Sequence, residues 1–224
     1  MILPVLPLAV VGIAAADDEG GQPSASVQAP ATRPADAEGP TLDPAIAAAV
    51  RDSIARQLFQ RSDVKGGAFA NHGFDEWSSD GVLIGFRLGI GTFFNNDVIK
   101  RVEPIYLTPH GETIGRGFGS EDNVDRTVVA KAPPGYAVGA VNVRGGGGLD
   151  AVTVTFMRFN GTRLDPTDRC MTPMIGGNGG GESQLDGDGT PIIGIRVRID
   201  KDQQFLGLGL IFIKPTAMVV RTDQ

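Results

Sequence analysis

The stretch "PGYAVGAVNVRGGGGLDAVTVTFMR", residues 134–158, decides the fold because it contains two strand-like runs joined by four consecutive glycines. In the second run, Val152 and Val154 alternate with Thr153 and Thr155. Such alternation predicts a strand with one apolar face and one polar face. Two strands of this kind joined by a glycine turn predict an antiparallel hairpin.

The same pattern occurs three times along the chain. The first copy contains "DGVLIGFRLGIG" and "NNDVIKRVEPIYL", and the last contains "GTPIIGIRVRID" and "QQFLGLGLIFIK". Each copy has a glycine inside its first strand, and these pivot glycines are separated by 54 and 55 residues: Gly85, Gly139 and Gly194. Each copy also has an aromatic residue that closes its second strand: Tyr106, Phe156 and Phe212. An even period of this length indicates three equivalent structural units.

Three amphipathic sheets can bury their apolar faces by packing around a common axis. The sequence therefore predicts an all-β fold, a threefold pseudo-symmetric β-prism of antiparallel sheets preceded by one short helix. A trefoil-like barrel is the alternative. The composition agrees, since the chain contains 32 glycines and only 6% aromatic residues, which favours short strands and turns over a helical bundle.

The segments before the repeats differ in composition. Residues 1–16 are apolar and end in small residues, which predicts a signal-like segment cleaved near Ala16, although no Lys or Arg precedes the apolar run. A short buried or anchoring segment is the alternative. Export would make the protein secreted, periplasmic or attached to the cell surface, and not an integral membrane protein after signal removal.

The remaining boundaries follow from residue patterns. Residues 17–41 are rich in Asp, Glu, Gly, Pro, Ser and Ala, which predicts a disordered linker. Residues 42–62 are predicted to be helical, with Asp43 as the N-cap and Pro44 as the first helical residue. An apolar stripe recurs every four residues: Ile46, Val50, Ile54 and Leu58. The prism is expected over residues 66–214, and residues 215–224 form a tail.

Charge and motif content exclude several functions. The net charge of −6 and the absence of a basic stretch argue against a nucleic-acid partner. No catalytic constellation, metal-ligand pattern or cofactor motif occurs around His72, His110 or Cys170, so we expect no enzyme activity and no cofactor.

The unit resembles that of the jacalin-like lectins, a β-prism family. The similarity lies in the strand–Gly–strand–turn–"LD"–strand pattern, in "PIYLTPHGETIGRGFGS" and in "MIGGNGGGES", which is similar to the family's Gly-Gly-x-Gly-Gly motif. It spans about residues 66–214. The vitelline membrane outer layer proteins share the β-prism and are the second family that the sequence resembles. The resemblance is weaker because this chain has one cysteine and cannot form their disulfides.

The resemblance implies a sugar site. Jacalin-like lectins bind sugars through a Gly-x-x-x-Asp loop in the last unit and a glycine-rich segment near the start of the domain. In this chain the last unit has Gly207 where the aspartate is expected, whereas the middle unit keeps the spacing from Gly146 to Asp150. The candidate ligand-binding residues are therefore Gly146, Gly147, Gly148, Asp150 and Trp77. The alternative for Asp150 is a turn residue that accepts neighbouring backbone N–H groups.

Exposed aromatic residues could also contact a ligand. Trp77 is expected in the loop that enters the first unit, and Phe93 and Phe94 at that unit's tip, where they could stack on sugar rings. Alternatively, they fill the ends of the prism. The sequence thus predicts an exported, non-enzymatic module that binds carbohydrate or a glycosylated surface. A structural or protein-interaction β-prism without a sugar site is the alternative. The helix either packs on the prism or mediates self-association, which would make the protein a homo-oligomer.

Overall fold

The computed structural model describes residues 39–122, 124–186 and 188–214. The signal-like segment 1–16, most of the linker 17–41 and the tail 215–224 lie outside the described residues. The described part contains one helix, α1 (Pro44–Ala55), and fourteen strands. The strands are β1 (Phe59–Arg61), β2 (Lys65–Gly66), β3 (His72–Trp77), β4 (Val82–Phe93), β5 (Asn96–Thr108), β6 (Gly111–Ile114), β7 (Arg126–Lys131), β8 (Tyr136–Gly145), β9 (Leu149–Asn160), β10 (Arg163–Met171), β11 (Ile175–Gly176), β12 (Gly181–Asp186), β13 (Ile192–Ile199) and β14 (Phe205–Ile213).

The strands form three antiparallel sheets around one core, which confirms the predicted β-prism. The first sheet has the order β6-β5-β4-β7, and the middle sheet has the order β10-β9-β8-β12, with β11 also on β9. The last sheet has the order β1-β14-β13-β3, with β2 also on β14. At the centre of each sheet lies one predicted hairpin: β4–β5, β8–β9 or β13–β14. Their buried side chains join one apolar core, which includes Phe86, Val141, Val154, Ile195 and Leu210.

The pivot glycines mark equivalent irregularities in the three sheets. The register of the central pair shifts at Leu83/Gly85, at Val138/Ala140 and at Ile192/Gly194. Just before each shift, the strand pairs with the closing aromatic of its unit, which is buried: Tyr106, Phe156 and Phe212. A Cβ on Gly85 or Gly194 would collide with a neighbouring carbonyl oxygen, of Ala130 or Glu76 respectively. Glycine therefore permits the close strand packing at these bulges.

Strands from both ends of the described chain build the last sheet. Phe59 of β1 pairs with Ile213 of β14, and Trp77 of β3 pairs with Gly194 of β13. The prediction that Trp77 lies in the entry loop of the first unit is therefore wrong. It is a residue of an outer strand in the last sheet.

The helix is shorter than the predicted segment 42–62. Asp43 caps it, because its carboxylate accepts the N–H of Ala45 at 2.7 Å. Gln57, just past the end of the helix, has a φ of 56°, which is a left-handed conformation typical of helix ends. The chain then turns into β1, so residues 59–61 extend a sheet edge instead of a helix.

Candidate functional site

The tips of the three central hairpins meet at one end of the prism and surround a cavity of about 690 Å³. The β8–β9 tip contributes Gly146, Gly147, Gly148 and Asp150 to its lining. The structure therefore brings together four of the five predicted ligand residues. The fifth, Trp77, pairs with Gly194 at the far end of β13 and does not line this cavity.

Three positions related by the pseudo-symmetry face this cavity. Lys100, Asp150 and Leu206 each lie six residues before the closing aromatic of their unit, and all three line the cavity. Each also has a glycine of positive φ packed against its carbonyl oxygen: Gly119 on Lys100, Gly176 on Asp150 and Gly66 on Leu206. The three units are thus equivalent here, but only the middle one carries a carboxylate.

This equivalence corrects the predicted alignment of the last unit. Gly66 pairs with Gly207 in the last sheet, as Gly176 pairs with Ala151 in the middle sheet. Gly207 is therefore equivalent to Ala151, and the residue before it, Leu206, corresponds to Asp150. Position 207 requires a small residue because the segment before β2 passes directly over it. A Cβ there would lie 3.0 Å from a methyl group of Val64. The last unit therefore presents an apolar side chain in place of a hydrogen-bond acceptor.

The Asp150 carboxylate packs against glycine backbone. Its oxygens would lie 2.6 Å from a Cβ on either Gly179 or Gly180, so a side chain at either position would displace the carboxylate. Among the residues that the structure describes, none hydrogen-bonds or ion-pairs with this carboxylate. Burial therefore raises the pKa of Asp150, and the nearby Arg144 guanidinium opposes that rise. The alternative that Asp150 accepts the N–H groups of its own turn is wrong.

Arg144 holds the glycine segment beside Asp150. Its guanidinium donates to the carbonyl oxygens of Asn178, Gly179 and Gly180 at 3.1–3.2 Å. On the opposite side, the Gly177 N–H donates to the Asp150 carbonyl oxygen at 3.0 Å. "GGNGGG", residues 176–181, is thus a segment pinned at both ends. Because these carbonyl oxygens already accept hydrogen bonds from Arg144, a ligand can use the N–H groups of the segment and the Asp150 carboxylate.

The other aspartates at the hairpin tips are already engaged. Asp97, in the first unit, accepts a hydrogen bond from Arg126 at 2.8 Å. Asp200, in the last unit, accepts the N–H groups of Asp202 and Gln204 at 2.9 and 2.8 Å, which makes it a turn residue. Asp150 differs from both because its carboxylate accepts no hydrogen bond from the described residues.

Aromatic side chains stand around the cavity. Phe69 and Phe93 line it and are 78% and 57% exposed, and Phe94, beside Phe93, is 85% exposed. The alternative that Phe93 and Phe94 fill the prism end is therefore wrong. Lys100 lies over the Phe93 ring, with its ammonium 5.5 Å from the ring centroid.

The two histidines lie apart from this site. His72 is on β3 and His110 is in the turn between β5 and β6. Across the described ranges, no three His, Cys, Asp or Glu side chains gather in a way that could hold a metal ion. Nor does any helix in those ranges have the length and apolar character needed to cross a membrane.

The three sheets and the hairpin tips at one end define the fold as the jacalin-like β-prism, and solved structures match it. Artocarpin complexed with methyl α-mannose matches with a TM-score of 0.52 and 14% identity, covering 69% of this chain and 97% of that one. A mannose-specific jacalin-related lectin from Morus nigra has a TM-score of 0.51 and 15% identity, covering 69% and 94%. Frutapin, a lectin from Artocarpus incisa, matches with a TM-score of 0.51 and 12% identity, covering 69% of this chain and 96% of that one. No protein-family model matches the sequence, and no curated protein matches it significantly.

Sequence reasoning missed three members of the site. Arg144, Gly179 and Gly180 were not candidates, because their contacts with Asp150 or with one another join residues about 30 positions apart. The signal that could have found them is the Gly-Gly-x-Gly-Gly motif itself. It was identified at residues 176–181 but was not connected to the Asp150 loop.

Proposed function

We propose that the protein is an exported, non-enzymatic carbohydrate-binding module whose sugar site is formed by Asp150 and the glycine segment 177–180. The observation that carries this proposal is the Asp150 carboxylate, which has no hydrogen-bond partner among the described residues and packs against the backbone of Gly179 and Gly180 at the rim of a cavity. A carboxylate accepts two hydroxyl donors at once, and adjacent hydroxyls of a pyranose match that geometry.

The neighbouring backbone supplies the complementary groups. Glycine leaves its N–H accessible, so Gly179 and Gly180 can donate to sugar oxygens while Asp150 accepts from sugar hydroxyls. The hydrogen bonds from Arg144 fix this backbone before a ligand arrives, which reduces the entropy lost on binding. The fold match to lectins that bind mannose supports mannosides as the first ligands to test.

Isothermal titration of the full chain with methyl α-mannoside, methyl α-galactoside, methyl α-glucoside and methyl N-acetyl-β-glucosaminide tests the proposal. We expect one of them to bind, and Asp150→Asn to weaken that binding by about 1.5–3 kcal/mol, because charge-assisted hydrogen bonds become neutral or are lost. Asp168→Asn is the matched control and should leave the affinity unchanged, since Asp168 lies on β10 and is hydrogen-bonded to Arg158 and Tyr136.

Two outcomes would contradict the proposal: no binding of any of the glycosides in either a methyl or a larger form, or equal binding by Asp150→Asn and the unmodified protein. The second candidate, a protein-interaction β-prism, would then be favoured. Its supporting observation is that Lys100 and Leu206 replace the carboxylate in two of three units.

Export is tested separately, by N-terminal sequencing of protein recovered outside the producing cells, with a start after Ala16 expected.

A further inference from the structure

We infer that the cavity holds a second ring of the bound glycan, stacked on Phe93 and Phe69, so that the protein prefers oligosaccharides and aryl glycosides to single sugars. This inference rests on the proposed function, since the first ring is placed at Asp150. The cavity of about 690 Å³ is continuous from Asp150 to both phenylalanines. Its size falls within the range of roughly 300–1,000 Å³ typical of sites for drug-sized ligands, and one pyranose fills only part of it.

The exposed phenylalanines contribute little to the apolar core. Phe69 and Phe93 are 78% and 57% exposed, so neither contributes much buried area to the core. Phe94, which is 85% exposed, has a φ of 46°, and a bulky residue rarely adopts that left-handed conformation. Exposed apolar rings in a strained turn are typical of a recognition surface.

The aromatic surface is positioned before binding. Phe93 makes an edge-to-face contact with Phe94, with ring centroids 4.6 Å apart and planes at 73°. The Lys100 ammonium lies over Phe93. Phe69 packs against Gly147, where a Cβ would lie 2.7 Å from its ring, and the Ala68 N–H donates to the Gly146 carbonyl oxygen at 3.2 Å.

The chemistry of the cavity selects its occupant. Beside the Asp150 carboxylate, the cavity is lined by apolar side chains that include Leu206 and Phe205, and also by the polar side chains of Lys100, Asp200 and Gln204. A pyranose or phenyl ring presents an apolar face that stacks on phenylalanine, while its linkage to the first ring keeps it within reach. Stacking of the second ring therefore adds to the affinity that Asp150 provides for the first.

Titration calorimetry with paired ligands tests this inference on the full chain. Each methyl glycoside that binds is compared with its 4-nitrophenyl counterpart, and methyl α-mannoside is also compared with mannotriose. We expect the larger ligand to bind about 5–10-fold more tightly, as one aromatic stacking contact provides. Phe93→Ala should remove most of that gain and leave the methyl glycoside unaffected. Trp77→Ala is the matched control, because it removes an exposed ring from the opposite end of the prism.

The outcomes separate the two claims. If methyl glycosides bind in an Asp150-dependent manner but the gain is absent or survives in Phe93→Ala, the second-ring site is wrong and the proposed function stands. If no ligand of either size binds, both are wrong. Association of the unliganded protein with phosphatidylcholine vesicles that is lost in Phe93→Ala, together with no glycan preference, would instead assign the phenylalanines to a lipid surface and overturn the inference.

Discussion

Arg144→Met provides a sharp test of how the site is built. Methionine keeps much of the aliphatic length but removes the three hydrogen bonds to Asn178, Gly179 and Gly180. The Arg144 side chain is 33% exposed, so water replaces part of what is lost. A net loss of about 1–2 kcal/mol in the free energy of unfolding is expected, which lowers Tm by roughly 2–8 °C.

Sugar affinity should fall more clearly than stability. Without Arg144 the glycine segment must be ordered during binding, and the pKa of Asp150 rises further because its neighbouring positive charge is gone. We expect affinity to fall at least about tenfold. Hydrogen exchange at the Gly177 N–H should accelerate, since its bond to the Asp150 carbonyl oxygen depends on a held segment.

The control for Arg144→Met is Arg158→Met. Arg158 donates to Asp168 and to the Tyr136 hydroxyl elsewhere on the middle sheet, so its replacement should leave sugar affinity and Gly177 exchange unchanged. The reasoning is refuted if Arg144→Met leaves both Gly177 exchange and sugar affinity at the level of the unmodified protein.

Three further predictions concern the bulges, the strained turn and pH. Gly85→Ala should lower the free energy of unfolding in urea by about 1–3 kcal/mol, because the added Cβ collides with the Ala130 carbonyl oxygen. Gly146→Ala is the control and should change that free energy little, because there is open space around Gly146. Phe94→Asn should raise Tm, since asparagine adopts the left-handed conformation more readily; an unchanged or lower Tm would contradict this. Because burial raises the pKa of Asp150, its stability contribution is present at acid pH and is lost as pH rises through that pKa. Asp150→Asn should therefore not lower Tm at pH 7, and sugar affinity should fall on acidification in the unmodified protein only.

Much of the fold could be predicted from local pattern. The pivot glycines and closing aromatics define three hairpins because alternation and turn chemistry act over short distances. The partners of those hairpins could not be predicted in the same way. The pairing of β1 and β3 with β14 and β13 joins opposite ends of the described chain, and this is why Trp77 was assigned to the wrong unit.

The site was predictable only in part for the same physical reason. Asp150 follows its glycines directly, so the spacing in the middle unit identified it. Its environment depends on β11 and β12, which bring the segment 176–181 back to the β8–β9 tip. Strand register likewise decides that Leu206, and not Gly207, corresponds to Asp150. Sequence spacing across a bulged loop does not determine that register.

The most direct test of the central claim is an amide chemical-shift titration of the full chain with the tightest-binding methyl glycoside. If Asp150 and the glycine segment bind the sugar, the largest perturbations fall on the amides of Asp150, Gly179 and Gly180 and disappear in Asp150→Asn. Perturbations centred instead on Leu206 and Gly207, or unchanged in Asp150→Asn, would contradict a sugar site in the middle unit.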